Sequence, residues 1–215
     1  MKNFIKMTIS CLILTVVSLP IYSQNNTSDN VKRLKFRTTR EIRKTARQYK
    51  ADGYSVAVGA MSLERQLSDA WIRENEKDST GFPKYIVASG RSVGETQIAA
   101  KIQAVESAKI ELAGTIATNI SVIIENNIAN AQLNSDEALS VTKTVAAAKN
   151  IIAQQIGRTI TLVELYRKVG KNTEVNIRIA YNSDMANRMA MKAVRQKLEE
   201  DTDLLQEKLE KLMKL

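Results

Sequence analysis

Tyr85-Ile86-Val87-Ala88-Ser89-Gly90, a short polar link, and then an alanine-rich stretch from Glu95 to Ala131 decide the fold class. The apolar, partly β-branched run begins after Pro83 and stops at Gly90, which predicts a buried strand. Beyond Gly94 the period changes: Ile98, Ile102, Val105, Leu112, Ile116, Ile120 and Ile123 return to one helical face. Ala99, Ala100, Ala104, Ala108, Ala113 and Ala117 lie beside that stripe and are small enough for close approach to a sheet or second helix. Lys101, Glu106, Lys109 and Glu111 mark the wetter side. At about 1.5 Å per residue this helix exceeds a small domain, so its end is expected to project or to pack on the next helix.

Working outward, Asn134-Ser135-Asp136-Glu137 is a helix start, with Ser135 as the capping serine followed by acids at the positive end of the dipole. The helix it opens carries Leu139, Val141, Val145, Ala148 and Ile152, stops at Gly157, and should fold back on its predecessor as a hairpin. Ile160 to Arg167 and Val175 to Tyr181 alternate on either side of Gly170-Lys171-Asn172, the pattern of a β-hairpin. The second strand alternates so cleanly that one sheet face is expected to be wet or to meet a partner. Ser183-Asp184 starts a last helix through Met185, Met189, Val194 and Leu198, and Leu205, Leu209 and Leu212 continue into a tail that packs on the body, frays or joins a partner helix.

Upstream, Thr38 or Thr39 caps a helix over residues 40–51 that ends at Asp52-Gly53. Residues 54–58 alternate as a short strand, and Ser62 opens a second helix containing Leu63, Leu67, Ala70 and Trp71. The expected class is α+β: strand, long helix, helix and β-hairpin form a small antiparallel or mixed sheet with helices on one face, flanked by N-terminal helices and a C-terminal helix. The expected divisions are 1–23, 24–37, 38–83, 84–182 and 183–215, the first a signal peptide, the second a flexible basic leader and the fourth the core.

The leader assignment follows from Lys2 and Lys6 ahead of the apolar run Met7 to Leu19, then Pro20 and a cleavage point near Ser23-Gln24. That run falls short of the roughly 20 residues a bilayer crossing needs. Export to the periplasm or the periplasmic face of the outer membrane is therefore expected. Cys11, the single cysteine, lies inside the apolar run, so the remaining chain has neither disulfide nor thiol.

A formal net charge of +9 is concentrated in residues 31–50, where Lys32, Arg33, Lys35, Arg37, Arg40, Arg43, Lys44, Arg47 and Lys50 face Glu41 alone. From Ala51 onward basic and acidic residues balance. Arg40, Arg43, Lys44 and Arg47 are candidate contacts for anionic lipid, lipopolysaccharide or acidic glycan; nucleic acid fits the charge but not the exported compartment. The alternative use of the same segment is a solvated helix with Ile42, Ala46 and Tyr49 turned inward. Asp78-Ser79-Thr80 resembles the acceptor pattern of O-glycosylated exported Bacteroidetes proteins, making Ser79 a candidate acceptor.

The sequence contains no histidine, which removes the commonest general base and metal ligand. Acids are not spaced for glycoside hydrolysis, and Gly90-Arg91-Ser92-Val93-Gly94 lacks both a third dinucleotide-binding glycine and the Gly-Lys-Ser/Thr of a phosphate loop. No catalytic residue, cofactor or metal is expected, and a carboxylate-only enzyme is the weakest reading. A binding module for a small ligand or peptide on the sheet face near Tyr166 and Tyr181 is the alternative to a structural role.

Tyr85-Ile-Val-Ala-Ser-Gly, the spaced alanines through Leu112-Ala113 and the closing Val175-Asn-Ile-Arg-Ile-Ala-Tyr together resemble the Lpp-type twenty-kilodalton outer-membrane lipoproteins and the flagellar basal-disc proteins FlgP and FlgT. Gly53-Tyr-Ser-Val and the step from Tyr181 through Asn-Ser-Asp-Met-Ala add a likeness to exported Bacteroidetes proteins. The resemblance implies an envelope location and assembly into rings or scaffolds, as a homo-oligomer or with other envelope proteins. It carries no catalytic residues, and the missing lipobox cysteine separates this chain from the lipid-anchored members.

Overall fold

The computed structural model describes residues 27–202, 204 and 206–213, so the signal-peptide segment and Leu205 lie outside the described residues. The chain divides into two compact units at Phe36/Arg37, and the sheet with the helices from Leu63 onward belongs to the second. The fold is α+β, with a three-stranded antiparallel sheet ordered β1-β3-β2. The strands are β1 (Tyr85–Gly94), β2 (Ile160–Val169) and β3 (Asn172–Asn182). The helices are α1 (Thr27–Ala51), α2 (Leu63–Asn75), α3 (Gln97–Ile128), α4 (Ser135–Ala147), α5 (Lys149–Gln155), α6 (Ser183–Asp201) and α7 (Gln206–Leu212).

Strand β1 does not stop at Gly90 but runs on to Gly94. Neither glycine is there for a turn. A Cβ at Gly90 would sit 2.0 Å from the Ala104 carbonyl oxygen, and one at Gly94 would sit 2.8 Å from the Ala100 nitrogen. Absent side chains on the strand and small ones on the helix let the two backbones touch. Gly170, by contrast, has φ +61° and makes the tight β2–β3 turn.

Thr96 caps α3 by accepting from the Ala99 N–H, and the 32 residues that follow extend about 48 Å. The buried residues recur every four: Ala100, Ala104, Ala108, Leu112, Ile116, Ile120, Ile124. Each step of four overshoots a 3.6-residue turn by about 40°, so the stripe spirals around the helix. Its alanine end lies on β1 and β3. Its isoleucine end has turned toward the helices: Ser121, Ile124 and Ile128 share a small cleft with Thr142 and Val145 of α4, and Asn127 donates to the Leu212 carbonyl of α7. Ile98 and Ile102, expected on the buried face, are 74% and 58% exposed. Ile123 and Val105 are only half-buried. The helix is long and apolar enough to cross a membrane by length and composition alone, while its buried stripe packs on the sheet and on α4 to α7.

The remaining helices close the core. Asn134, not Ser135, caps α4, in a reciprocal box with Glu137. Ala148 interrupts the expected single helix and separates α4 from α5, while Ile152 stays fully buried. Asn182 caps α6, whose Met185 is exposed and whose Ala186, Ala190, Val194 and Leu198 are buried. Leu209 and Leu212 are 2% and 0% exposed, so the described part of the tail packs on its own body.

Other expectations change as well. The segment at Tyr54–Val58 is not a strand: only Ser55 pairs with Tyr166, and Val58 is wholly exposed. Helix α1 begins at Thr27 rather than at Thr38 or Thr39, so the expected flexible leader is helical from Thr27 onward. The sheet has no wet face, because Val175, Ile177, Ile179 and Tyr181 pack beneath α3 while Leu165, Val163 and Ala180 pack against Ala46, Tyr54, Leu63, Leu67 and Ala70. Helices thus cover both faces, not one. Gly90→Ala should destabilise the fold by about 3 kcal/mol in urea unfolding, since a backbone carbonyl has to move. Gly157→Ala, with nothing within 4 Å, should stay within about 0.5 kcal/mol of wild type.

Candidate functional site

Helix α1 presents two different faces between Arg40 and Lys50. Ala46 is fully buried against the α2 side of the sheet, with Ile42 and Tyr49 half-buried beside it. Tyr49 meets Tyr54 edge to face, ring centres 5.5 Å apart. Asp52 and Gly53 then end the helix, Gly53 at φ +85°. Anchoring that apolar side turns Arg40, Arg43, Lys44 and Arg47 outward, and all four are exposed. None of the four pairs with an acid among the described residues. Lys50, by contrast, reaches Glu64 of α2 at 2.6 Å. Four unneutralised cations on one rigid face can bind an anionic surface by charge density alone, without a pocket.

The strongest electrostatic feature in the body is different in kind. Glu174 of β3 is 4% exposed. Its Oε1 accepts from the Tyr54 hydroxyl at 2.7 Å, its Oε2 accepts from Arg167 Nε at 2.7 Å, and Arg91 Nε lies 3.4 Å from Oε1. The Arg167 guanidinium also stacks over the Tyr54 ring at 4.8 Å from its centre. Burial pushes the Glu174 carboxyl upward, but the Tyr54 and Arg167 hydrogen bonds and the nearby arginines outweigh it and hold the group below the ordinary glutamate range. Burial and the same carboxylate raise the Tyr54 hydroxyl. This hydrogen-bonded cluster fastens the chain after α1 to the hairpin.

A second, half-buried set links the N-terminal half of α3 to β2. Glu164 receives the Tyr166 hydroxyl and pairs with Lys101 at 2.8 Å, and its own N–H donates to Gln66 Oε1 at 2.8 Å. Burial and the Glu164 hydrogen bond raise the Tyr166 hydroxyl.

The third feature is an open cleft of about 500 Å³ lined by Asp69, Ile72, Arg73, Glu76, Lys84 and Tyr85. Arg73 and Lys84 flank the Tyr85 ring at 5.3 and 5.7 Å, and Arg73 also donates to the Tyr85 hydroxyl at 3.1 Å.

Of the residues singled out in the sequence, the four α1 cations come together on one accessible surface. Ser79 sits exposed at the tip of a tight loop in which Asp78 Oδ1 accepts from the Thr80 N–H, the Thr80 hydroxyl and the Phe82 N–H. Tyr166 and Tyr181 form no ligand face: they are 8% and 6% exposed and belong to the core beneath α3. The Arg167–Glu174 pair escaped the sequence reading, although a two-residue Gly170-Lys171 turn places those residues directly opposite each other. Its third member, Tyr54, is 120 residues away and carried no such signal. Among the described residues no cluster of acids is placed to hold a metal ion.

Compared with known protein families, with curated proteins and with solved structures, the chain shows no significant match. Because the folded Glu174 carboxyl titrates below its unfolded value, its contribution is complete above the unfolded value and is lost as pH falls through the folded one. Glu174→Gln should therefore cost about 1–3 kcal/mol at pH 7 and lessen the decline of stability below about pH 4.5, measured by urea unfolding across pH.

Proposed function

We propose that this chain is a non-catalytic component of the cell envelope, exported to the periplasm or the periplasmic face of the outer membrane, where it acts in oligomeric assembly and meets an anionic surface through α1. The observation that carries the reading is the pair of faces on α1. Ala46, fully buried, docks the helix on the body, and the exposed Arg40, Arg43, Lys44 and Arg47 are thereby held outward as a fixed array. The Lys2/Lys6-flanked apolar run ahead of this body supports export. The hydrogen-bonded state of the buried Glu174 and the half-buried Glu164 supports a structural use of these acids.

Neutralising Arg40, Arg43, Lys44 and Arg47 to Gln should abolish cosedimentation with vesicles containing anionic lipid, or with lipopolysaccharide. At up to about 1 kcal/mol per cation near a charged surface, the loss is on the order of a hundredfold or more at low salt. Wild-type binding should fall steeply between low and physiological salt. Cell fractionation completes the test: a cytoplasmic chain, or vesicle binding indifferent to both salt and the four substitutions, would remove this reading.

A further inference from the structure

The sheet has two edges, and they are closed unequally. On the outward side of β2, Tyr166 exchanges both main-chain bonds with Ser55 at 2.8 and 2.9 Å. Next to it the Glu164 N–H is taken by Gln66, a buried side chain itself fixed by donating to the Met61 carbonyl. On β1 the outward positions are Tyr85, Val87, Ser89, Arg91 and Val93. Their phase follows from Ser183 N–H donating to the Lys84 carbonyl, which makes the even positions the ones bonded to β3. Among the described residues one side chain takes a main-chain donor from that outward row: Glu111 of α3, whose Oε2 accepts from the Ser89 N–H at 3.1 Å. An exposed carboxylate reaching over a strand edge is easily displaced, and an open edge pairs with another strand.

We propose that the outer edge of β1 is the self-association surface of this chain, that β1 of a second copy pairs with it antiparallel about a two-fold axis at Ser89, and that Glu111 is the guard the incoming strand displaces. This rests on the oligomeric part of the function proposed above. Four features fit a second copy with its axis at Ser89. An antiparallel register centred on Ser89 uses only outward positions, setting Ser89 against its own equivalent, Arg91 against Val87 of the partner subunit and Val93 against Tyr85 of the partner subunit. That register carries Val93, 45% exposed, onto the open cleft beside Tyr85, where Ile72 is 54% exposed. It also brings Arg91, whose side chain is 65% exposed, toward Asp69 and Glu76 on the rim of the same cleft. The cleft is lined from α2 and from Lys84 and Tyr85, with no residue of β3, so it opens on the β1 side of the sheet. Beside the two-fold axis, the α3 flank around Glu111 carries the exposed Ser107 and the 64% exposed Ile110, a small and an apolar group that let two helices lie alongside. The same axis brings the two Glu111 carboxylates near each other, so Glu111 opposes association both by capping Ser89 and by repulsion.

Sedimentation of the protein in its exported form, together with oxidative cross-linking, tests the proposal. Wild type should form a reversible dimer, and Glu111→Ala should tighten it by about tenfold or more. Ser89→Pro removes an N–H that β3 does not use and should weaken the dimer by at least about tenfold, with thermal unfolding checked alongside. Should Ser89→Pro fail to fold, Ser89→Cys decides the matter. Two cysteines facing each other across the axis lie within disulfide reach and should cross-link rapidly on oxidation, whereas Lys171→Cys at the hairpin turn should not. A dimer that ignores Glu111→Ala and cross-links no faster through Ser89→Cys than through Lys171→Cys overturns the edge but leaves the oligomeric reading standing. Monomers throughout, Glu111→Ala included and without Ser89→Cys cross-links, overturn both.

Discussion

The structure depends on the contact between β1 and the first half of α3, where two backbones meet with almost no side chain between them. Gly90 faces Ala104 and Ala108, and Gly94 faces Ala100, at distances that exclude even a methyl group on the strand. Such a contact makes little hydrophobic area per residue, since alanine has little to bury. Its effect is geometric. It fixes the depth at which the helix lies on the sheet, and the side chains of β3 beneath, Val175, Ile177 and Ile179, fill the space that this depth leaves. Farther along, the stripe of four-residue steps changes from Ala to Leu and Ile, and α3 parts from the sheet to meet α4 to α7. A single helix therefore joins a close-packed α/β layer to a more widely spaced helical layer, and the size gradient along its buried stripe matches the two spacings.

That gradient explains which parts of the fold were legible in the sequence. The α+β class, the long helix, the β2–β3 hairpin with its glycine turn and the α2 helix with its Ser62 cap all follow from period, punctuation and capping chemistry. The burial of α3 was misread, because a hydrophobicity pattern weighs Ile98 and Ile102 above Ala100 and Ala104, and here the small residues are inside. Gly90 looked like a strand terminator because a glycine needed for close approach and a glycine needed for a turn are the same letter. Residues 54–58 alternate like a strand, but only the Ser55 main chain finds a partner, and the buried Tyr54 is held by its ring and hydroxyl instead.

The charged residues divide along the same line between local and distant causes. The basic face of α1 is readable from the sequence because helical spacing alone centres Arg40, Arg43, Lys44 and Arg47 away from the side that carries Ile42, Ala46 and Tyr49. The Glu174 cluster was half readable: its cross-strand arginine follows from hairpin register, whereas Tyr54 and Arg91 arrive from other elements. The difference has an electrostatic consequence. Glu174 and Glu164 are surrounded by donors and are fixed in place, so their charge serves the fold. The α1 cations have no such partners among the described residues, and their charge is available to something outside the molecule.

The helices flanking the sheet also determine which of its main-chain groups stay open. Covering both faces of a three-stranded sheet leaves the two edges as its remaining main-chain surface, and each edge is met by a side chain from the helix that crosses it. Helix α2 crosses from β2, where Gln66 sits, over β3, where Glu74 pairs with Arg178 at 2.7 Å, to β1, where Arg73 reaches Tyr85. Its contribution at β2 is a buried, neutral amide that cannot leave without exposing two main-chain partners. Helix α3 contributes a carboxylate at β1 that is already in water. A group in water exchanges its partner at small cost, whereas a buried one does not. The asymmetry between Gln66 and Glu111 therefore gives one sheet a permanent edge and an edge that another strand can take.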